Sequence, residues 1–523
     1  SIADLQGRRI LFGQPDSLEK HGAALSALVQ HGVPLPAQLE TRAACSEAAM
    51  DLQDSRETPA PAAVVSSYAF PLLEGCGNVE RGALRVLGQT RPVPFVAVFA
   101  GPRISPATAT RLREALLAVR AHADLLKLME SRDGFVPWAG ADWPDWRGSN
   151  RDGLTTALPA KLTHPPRVVW RKPAAGPGLA GLAATGDVVL VAERDPLDER
   201  DVFRCLRAAD GATLWTLEYP ATGQIDYGNS PRATPVLHAD RAYLLGAFGD
   251  LHCVTLAQGE VLWKRQLVAE LGGKRPAWGY CSTPLIVDDL VIVNPGGKAA
   301  SLVALNRHTG KVVWQTPGGE AAYSSFILAE FGGRRQIVGY DAASLGGWDV
   351  RTGRRLWTLV PPNSGDFNVP TPVAVGDKLL VATENNGTRL YGFRAHGRID
   401  PQPVAATEAL SPDTTTPVVA NGRVFGLGSG LVCLDLKNRL SPLWASADNS
   451  LANHAALIAG SDRLLVFTYH GELLLLDATA PSCDILARFR LAGADAELYA
   501  HPALVGNRLY VRDTSQVVCY ALD

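Results

Sequence analysis

"CLRAADGATLW", residues 205–215, is the stretch that decides the fold, because the same phrase returns three times further along the chain. The other copies are "CVTLAQGEVLW" (253–263), "ALNRHTGKVVW" (304–314) and "GWDVRTGRRLW" (347–357). In each copy a small residue precedes a glycine by six positions, and a tryptophan follows that glycine by four. A phrase that returns at regular intervals indicates a fold built from one repeated structural unit.

The length of the period identifies the unit. From Trp170 to Trp357 successive tryptophans lie 45, 48, 51 and 43 residues apart, and Trp444 follows after 87, close to two periods. The segments between them are short and strand-like, for example "DVVLVAE" (187–193) and "RLLVFTY" (463–469). A period in the forties made of such segments predicts the four-stranded blades of a β-propeller, whereas a helical repeat would place apolar residues three and four apart.

The number of blades follows from the outer strands. Counting each tryptophan strand, and adding degenerate ones near residues 400 and 488, predicts eight blades. The last segment, 501–523, provides only three strands, so "RVVW" at 167–170 is expected to pair with it as the fourth. Closing the ring in this way leaves no sheet edge exposed. The glycine of each phrase is expected at a positive-φ turn position, and the small residue beside the tryptophan ring.

These residues carry a family resemblance. The repeated phrase resembles the tryptophan-docking motif of PQQ-like propellers of the quinoprotein type. "WPDWRGSNRDG" (143–153) resembles the W-R-G-x-N-R-x-G leader found before many of them. The resemblance covers residues 142–523 and implies a leader at 142–166 followed by an all-β eight-bladed propeller at 167–523. Propellers of this kind include dehydrogenases, assembly scaffolds and binding modules, so the resemblance implies a fold more than a function.

The leader is interpreted as a structural clamp. Trp143 and Trp146 are expected to bury their rings, while Arg147 and Arg151 bind neighbouring carboxylates or backbone carbonyls. An active-site loop is the alternative. The clamp hypothesis predicts that Arg147→Ala lowers the melting temperature more than it lowers the affinity for a ligand.

The first 141 residues have a different character, because strand-like and helix-like segments alternate, which predicts an α/β layer. "LQGRRILFGQPDS" (5–17) and "PFVA" (94–97) resemble the phosphate or phosphonate binding-protein component of ABC importers, entered partway through that fold. The predicted fold class is therefore multidomain: a partial periplasmic-binding-protein-like α/β module, then the propeller.

The resemblance also implies where an anion would bind in the first module. The family's Ser-Thr-Ser run at a helix N-terminus corresponds to Ser17, Leu18 and Glu19, and the family's aspartate after the next strand corresponds to Ser66. A carboxylate at this site repels phosphate, so a packing module is expected, with phosphate- or phosphonate-type solute binding as the alternative.

A ligand site is expected where the innermost strands of the blades begin, because these starts line a central funnel. An aromatic and polar concave surface favours ligand binding, whereas the alternative is that small polar residues there only satisfy loop backbones. With Phe367 nearby, the predicted funnel residues are Tyr227, Asn229, Trp278, Tyr280, Tyr323, Asp366, Asn368, Asp413, His454 and His501.

Metal and cofactor chemistry are weaker alternatives. His454, His501 and Cys281 could bind copper or zinc if the ring brings them together, although such histidines more often bond to backbone. Quinone-dependent dehydrogenases of this fold carry adjacent cysteines and a calcium held by carboxylate and amide oxygens. The eight cysteines here are far apart in sequence. No cofactor is therefore expected, with PQQ or a copper or zinc ion as the alternatives.

Composition and charge restrict the classes of partner that this protein is expected to bind. The formal net charge is -2 and the basic residues are scattered, so no nucleic-acid partner is expected. No run of about 18 apolar residues exists, so no transmembrane segment is expected. Export to the periplasm is implied by the two resemblances. The expected function is an exported noncatalytic scaffold that binds a protein or a small molecule at the propeller; the alternative is a periplasmic quinone- or metal-dependent oxidoreductase.

Overall fold

The computed structural model describes residues 2–12, 40–65, 73–88, 142–156, 158–493 and 496–522, with eight isolated residues between 24 and 125. The chain divides into two compact units, Ser1–Trp138 and Ala139–Asp523. Within the described residues no helix is both long enough and apolar enough to cross a membrane.

The first unit contains a small parallel sheet. Its central strand, Ile10–Phe12, is buried and pairs with Glu40–Thr41 on one side and Ala62–Ala63 on the other. One turn of 3-10 helix covers Ile2–Leu5, and an α-helix covers Cys45–Asp54. The α/β fold of the whole unit stays a prediction. The anion-site residues inferred from the resemblance lie outside the described residues: Ser17, Leu18, Glu19 and Ser66.

The second unit is an eight-bladed β-propeller, which confirms this part of the predicted fold class. Each blade is a four-stranded antiparallel sheet whose first strand is innermost. Blade 1 contains Ala183–Ala184, Val188–Arg194, Arg200–Arg207 and Thr213–Pro220; blade 2, Val236–His238, Arg241–Leu245, Asp250–Thr255 and Val261–Gln266; blade 3, Leu285–Val287, Leu290–Val293, Leu302–Asn306 and Val312–Thr316; blade 4, Ile327–Phe331, Arg334–Tyr340, Leu345–Asp349 and Arg355–Leu359.

The other four blades follow the same plan. Blade 5 contains Val373–Val375, Lys378–Thr383, Gly387–Tyr391 and Ala405–Thr407; blade 6, Val418–Ala420, Arg423–Leu427, Leu431–Asp435 and Ser441–Ala445; blade 7, Ala455–Ala459, Arg463–Thr468, Glu472–Asp477 and Ile485–Arg490; blade 8, Ala503–Val505, Arg508–Arg512, Gln516–Ala521 and Arg167–Pro173. A small hairpin, Phe393–Arg394 with Arg398–Ile399, interrupts blade 5, and short 3-10 turns cover Ala395–Gly397 and Asn449–Leu451. The last strand of blade 8 comes from the start of the unit, so the ring closes by main-chain hydrogen bonds.

The repeated phrase is the third and fourth strand of a blade. The small residue faces the tryptophan directly across the ladder, as in the pairs Cys205 with Trp215 and Cys519 with Trp170. A bulge follows the small residue in both blades. In blade 7 Ala487 takes the place of the tryptophan.

The glycine of the phrase has a role between blades. Gly211, Gly259, Gly310 and Gly353 all have φ between 66° and 73°. A Cβ on any of them would press against the tryptophan ring of the preceding blade. The indole nitrogen of that tryptophan also donates to a backbone carbonyl of the next blade, for example from Trp170 to Ala208 at 2.9 Å. Each phrase therefore links two blades as well as two strands.

This arrangement predicts a difference between two positive-φ glycines. Gly353 lies against the Trp314 ring, whereas no heavy atom lies within 4 Å of the Cβ position of Gly376. Gly376→Ala is expected to cost about 1 kcal/mol of unfolding free energy from backbone strain alone. In Gly353→Ala the new methyl group also presses against the Trp314 ring, so the total loss of unfolding free energy is expected to be about 2–4 kcal/mol. Equal losses in urea denaturation would contradict the inter-blade role of Gly353.

Candidate functional site

The leader occupies the central channel of the propeller. It enters and leaves at the end where the innermost strands finish: Trp143 exchanges two main-chain hydrogen bonds of 2.8 Å with Ala184, and Thr155 bonds to Ala459 at 2.9 Å. Between these points it contacts every blade. From blade 1 to blade 8 the contacts are, in order, with Ala184, Leu237, Pro284, Phe326, Thr371, Pro417, Ala459 and His501.

Two buried arginines hold the leader to the blades. Arg151, 3% exposed, forms a bidentate ion pair with Asp145 at 2.9 Å and donates to carbonyls of blades 3 and 4. Arg147, 1% exposed, donates to Asp152 within the leader and to Pro417 of blade 6 at 2.7 Å. Burial lowers the pKa of Arg147 to about 10. The structure places the leader inside the channel, where its arginines reach carbonyls that directly precede the innermost strands.

The two leader tryptophans enclose His501. The imidazole stacks on Trp143 with ring centres 6.0 Å apart, and Trp146 meets it edge-on at 5.3 Å. Trp146 also donates its indole hydrogen to Thr371 of blade 5. The two tryptophan rings of the leader thus pack against a histidine of the last blade.

The enclosed histidine makes stability depend on pH. Burial, and then the charge of Arg147, lowers the pKa of His501 from 6.5 to about 3. As the pH falls below about 6.5, His501 becomes protonated in the unfolded chain but stays neutral in the folded chain. The free energy of unfolding therefore decreases as the pH drops from about 7 towards 3. Between pH 7 and pH 5 this histidine accounts for a loss of about 2 kcal/mol.

Urea denaturation of the full chain at both pH values checks this expectation. His501→Gln should show a difference between pH 7 and pH 5 that is smaller by about 2 kcal/mol. His164→Gln, at an exposed position, should leave the difference as in the parent chain. An unchanged pH dependence in His501→Gln would contradict the assignment.

A row of hydroxyl groups joins the starts of the inner strands of blades 2 to 6. The backbone N–H of Thr234 donates to the hydroxyl of Thr283, that of Thr283 to Ser325, and that of Ser325 to Thr371, at 3.1–3.2 Å. The backbone N–H of Thr371 continues the row to the hydroxyl of Thr416. For these residues small polar side chains do satisfy loop backbones, as the alternative proposed. These hydroxyl residues were not among the predicted site residues, although a Thr-Pro pair recurs before four of the first strands and could have identified them.

At the end of the channel where the innermost strands begin, four aromatic side chains form what we call the mouth cluster: Tyr227, Trp278, Tyr323 and Phe367. They come from the loops that precede blades 2 to 5. Trp278 lies at the centre, with ring centres 4.5 Å from Tyr323, 4.7 Å from Phe367 and 5.9 Å from Tyr227. An open cleft of about 470 Å³ beside Tyr227 is lined also by Asp226 and Arg275. The structure thus brings three predicted funnel residues, Tyr227, Trp278 and Tyr323, into one surface.

The predicted carboxylates and one histidine also lie at this end. Asp366 accepts hydrogen bonds from the backbone of Asn385 and the side chain of Asn386, which fixes the loop before blade 5. Asp413 is exposed and accepts from Thr414. His454 is half-buried beside Thr414, and burial lowers its pKa to about 4.

Four other predicted funnel residues lie outside the mouth cluster, in loop hydrogen bonds or in the interior. Tyr280 is buried and donates its hydroxyl to Pro295, and Asn229 bonds within its loop and to Asp198. Asn368 is 1% exposed, and His501 is buried between the leader tryptophans. Hydrogen bonds of the loops and burial thus engage Asn229, Tyr280, Asn368 and His501, and ligand binding by these four residues stays a prediction.

The metal hypothesis gains no support from the geometry. Among the described residues no group of three histidine, cysteine or acidic side chains is placed to hold a metal ion. Cys281 lies against the carbonyls of Trp278 and Gly279, and burial raises the pKa of its thiol to about 12, which opposes thiolate ligation. His501 is enclosed by the leader. A metal at His454, His501 and Cys281 stays a prediction.

Comparison with known proteins adds two family matches. Residues 198–387 match the PQQ-repeat family model described as outer membrane protein assembly factor BamB. The propeller is of the PQQ-like type. Residues 1–143 match the model described as an ABC transporter, phosphonate, periplasmic substrate-binding protein. No curated protein matches the chain.

Solved structures share the fold of the PQQ-like propeller. A quinohemoprotein alcohol dehydrogenase from Comamonas testosteroni is 12% identical with a TM-score of 0.53, over 79% of this chain and 84% of that one. The corresponding enzyme from Pseudomonas putida is 12% identical with a TM-score of 0.52, over 73% and 80%. BamB from Moraxella catarrhalis is 18% identical with a TM-score of 0.47, over 65% and 94%. At these identities the dehydrogenases show the fold alone.

The residues of the PQQ-like propeller do not fit a quinone held by calcium. Asp366 and Glu384, the acidic side chains beside Phe367, accept hydrogen bonds from loop N–H groups. The half-buried thiol of Cys281 has no adjacent cysteine in the sequence. On the axis, the leader fills the channel below the mouth cluster.

In the first unit, a cleft of about 400 Å³ is lined by arginines and acids together. Arg9 forms ion pairs with Glu40 and Glu57, and Arg42 pairs with Asp51. Arg9 lowers the pKa of Glu40 to about 2. These guanidinium groups are thus engaged by carboxylates of the same unit, and an anion would have to compete with them.

Proposed function

We propose that the chain is an exported, noncatalytic scaffold that binds a protein partner at the mouth cluster of its PQQ-like propeller. The observation that carries this proposal is the pairing of a filled channel with an exposed aromatic surface. The leader fixes all eight blades around the axis, and the opposite end presents Tyr227, 77% exposed, and Phe367, 53% exposed. Surfaces that present Tyr, Trp and Phe are typical of protein-binding sites, where aromatic side chains are enriched among the residues that contribute most of the affinity.

The two family matches support the same proposal. One family is described as an outer membrane protein assembly factor and the other as a periplasmic substrate-binding protein, and neither description names a reaction. Export is part of the proposal because one description names the outer membrane and the other the periplasm. Solute binding by the first unit is the second candidate, favoured by the match over residues 1–143.

Photo-crosslinking tests the proposal. A benzophenone amino acid in place of Tyr227 should yield one adduct of discrete mass in the producing cells, and mass spectrometry should identify its partner. The same amino acid at Leu214, exposed on the outer strand of blade 1, is the control and should yield no such adduct. With purified partner, Trp278→Ala should weaken binding by about thirtyfold.

Two results would contradict it. One is the absence of an adduct at Tyr227 together with dehydrogenase activity after addition of PQQ and calcium, which would favour an oxidoreductase. The other is tight binding of phosphate or a phosphonate to the full chain in calorimetry, with no effect of Trp278→Ala, which would move the function to the first unit.

A further inference from the structure

The charge of the PQQ-like propeller differs between its two ends. At the mouth end, the loops that join second to third strands and successive blades contain fourteen acidic and four Lys or Arg side chains among the described residues. At the other end, the loops that join first to second and third to fourth strands contain ten acidic and eight basic ones. The net charge of -2 for the whole chain conceals this difference.

Three of the four cations at the mouth end are already engaged by the propeller. Lys274 pairs with Glu320, and the guanidinium of Arg275 lies 5.1 Å from the centre of the Phe248 ring. Arg232 donates to three backbone carbonyls of its own loop, those of residues 226, 228 and 230. Strand arginines also pair with four of the mouth-end acids: Asp198, Glu270, Asp341 and Asp448. The fourteen carboxylates still outnumber these four arginines and the four loop cations, so the mouth end has excess negative charge.

We infer that the partner presents a segment carrying Arg or Lys, which lies across the mouth cluster with its cations on the aromatic rings. This inference rests on the proposed function and specifies its partner. Aromatic faces attract cations, most strongly when the ring is tryptophan and the cation is guanidinium. Tyr227 and Phe367 are exposed beside the central Trp278, and the exposed carboxylates of Asp226 and Asp413 lie in the loops of the same end. Complementary charge also excludes acidic partners and accelerates the encounter.

A labelled peptide gives a direct test with the full chain. The probe is a fluorescein-labelled twelve-residue peptide of alternating Arg and Gly, compared with one of alternating Glu and Gly, in fluorescence anisotropy. The Arg peptide should bind at least about tenfold more tightly, and its affinity should fall as salt increases, because surface charges are screened.

Matched variants separate the aromatic and acidic contributions. Trp278→Leu keeps an apolar side chain but removes the aromatic face, and it should weaken binding of the Arg peptide by about tenfold. The double variant Asp226→Asn, Asp413→Asn should weaken binding and reduce its salt dependence. The double variant Asp240→Asn, Asp462→Asn removes the same charge at the other end and should change the dissociation constant by less than about twofold.

The outcomes of these experiments distinguish failure of this inference from failure of the proposed function. Equal affinity for the Arg and Glu peptides, equal affinity in Trp278→Leu, or an equal effect of the two double variants would overturn the inference. If a partner is nevertheless crosslinked at Tyr227, the proposed function stands and only the charge of the partner segment is wrong. If neither peptide binds and no adduct forms at Tyr227, both proposals fall.

Discussion

Arg151→Ala is expected to lower the free energy of unfolding of the propeller by about 3–5 kcal/mol. The substitution removes an ion pair with Asp145 and three hydrogen bonds to carbonyls of blades 3 and 4. It leaves the carboxylate of Asp145 buried without its counter-ion, and burial already raises the pKa of that carboxyl. Urea denaturation monitored by tryptophan fluorescence measures the loss.

The control for this prediction is another arginine in an ion pair. Arg335 pairs with Asp288 at 2.8 Å with both side chains about half exposed. Arg335→Ala should cost no more than about 1 kcal/mol, because exposed ion pairs contribute little. Arg147→Ala, like Arg151→Ala, should lower the melting temperature. It should leave the affinity of the mouth cluster for its partner unchanged. A stable Arg147→Ala variant that no longer binds would reverse this and assign the leader to the binding site.

Trp170→Ala is expected to cost about 3–5 kcal/mol, the second large effect. Trp170 is 7% exposed, packs against Tyr510, covers Gly211 of blade 1 and donates to Ala208. It lies on the strand that closes the ring, so its loss removes packing from both sides of the closure. Differential scanning calorimetry of the full chain should show the propeller transition at a lower temperature.

Trp444 is the matched comparison. It faces Cys433 across the ladder as Trp170 faces Cys519, but its ring is half-buried, and its indole nitrogen has no hydrogen-bond partner among the described residues. Trp444→Ala should therefore cost about 1–2 kcal/mol. Similar losses for the two variants would show that the strand pair alone, without the contact to the next blade, accounts for the stabilisation.

The blade repeat could be predicted because its cause is local. A tryptophan, a small residue opposite it and a positive-φ glycine lie within eleven residues of one hairpin, so their spacing is preserved wherever the hairpin recurs. The funnel residues were only partly predictable. Residues 227, 278 and 323 lie on one surface, but whether a side chain such as that of Tyr280 turns to solvent or to a carbonyl depends on the neighbouring loop.

By itself, the sequence determined the number and type of sheets, because hairpin pairing acts over short stretches of chain and leaves a periodic pattern. Only the tertiary structure decided that the leader fills the channel, since Arg147 and Pro417 are 270 positions apart and meet only when the ring has closed. The same holds for the mouth cluster and the acidic end around it. These surfaces are assembled from the loops of different blades, and a circular arrangement places side by side residues that no local pattern connects.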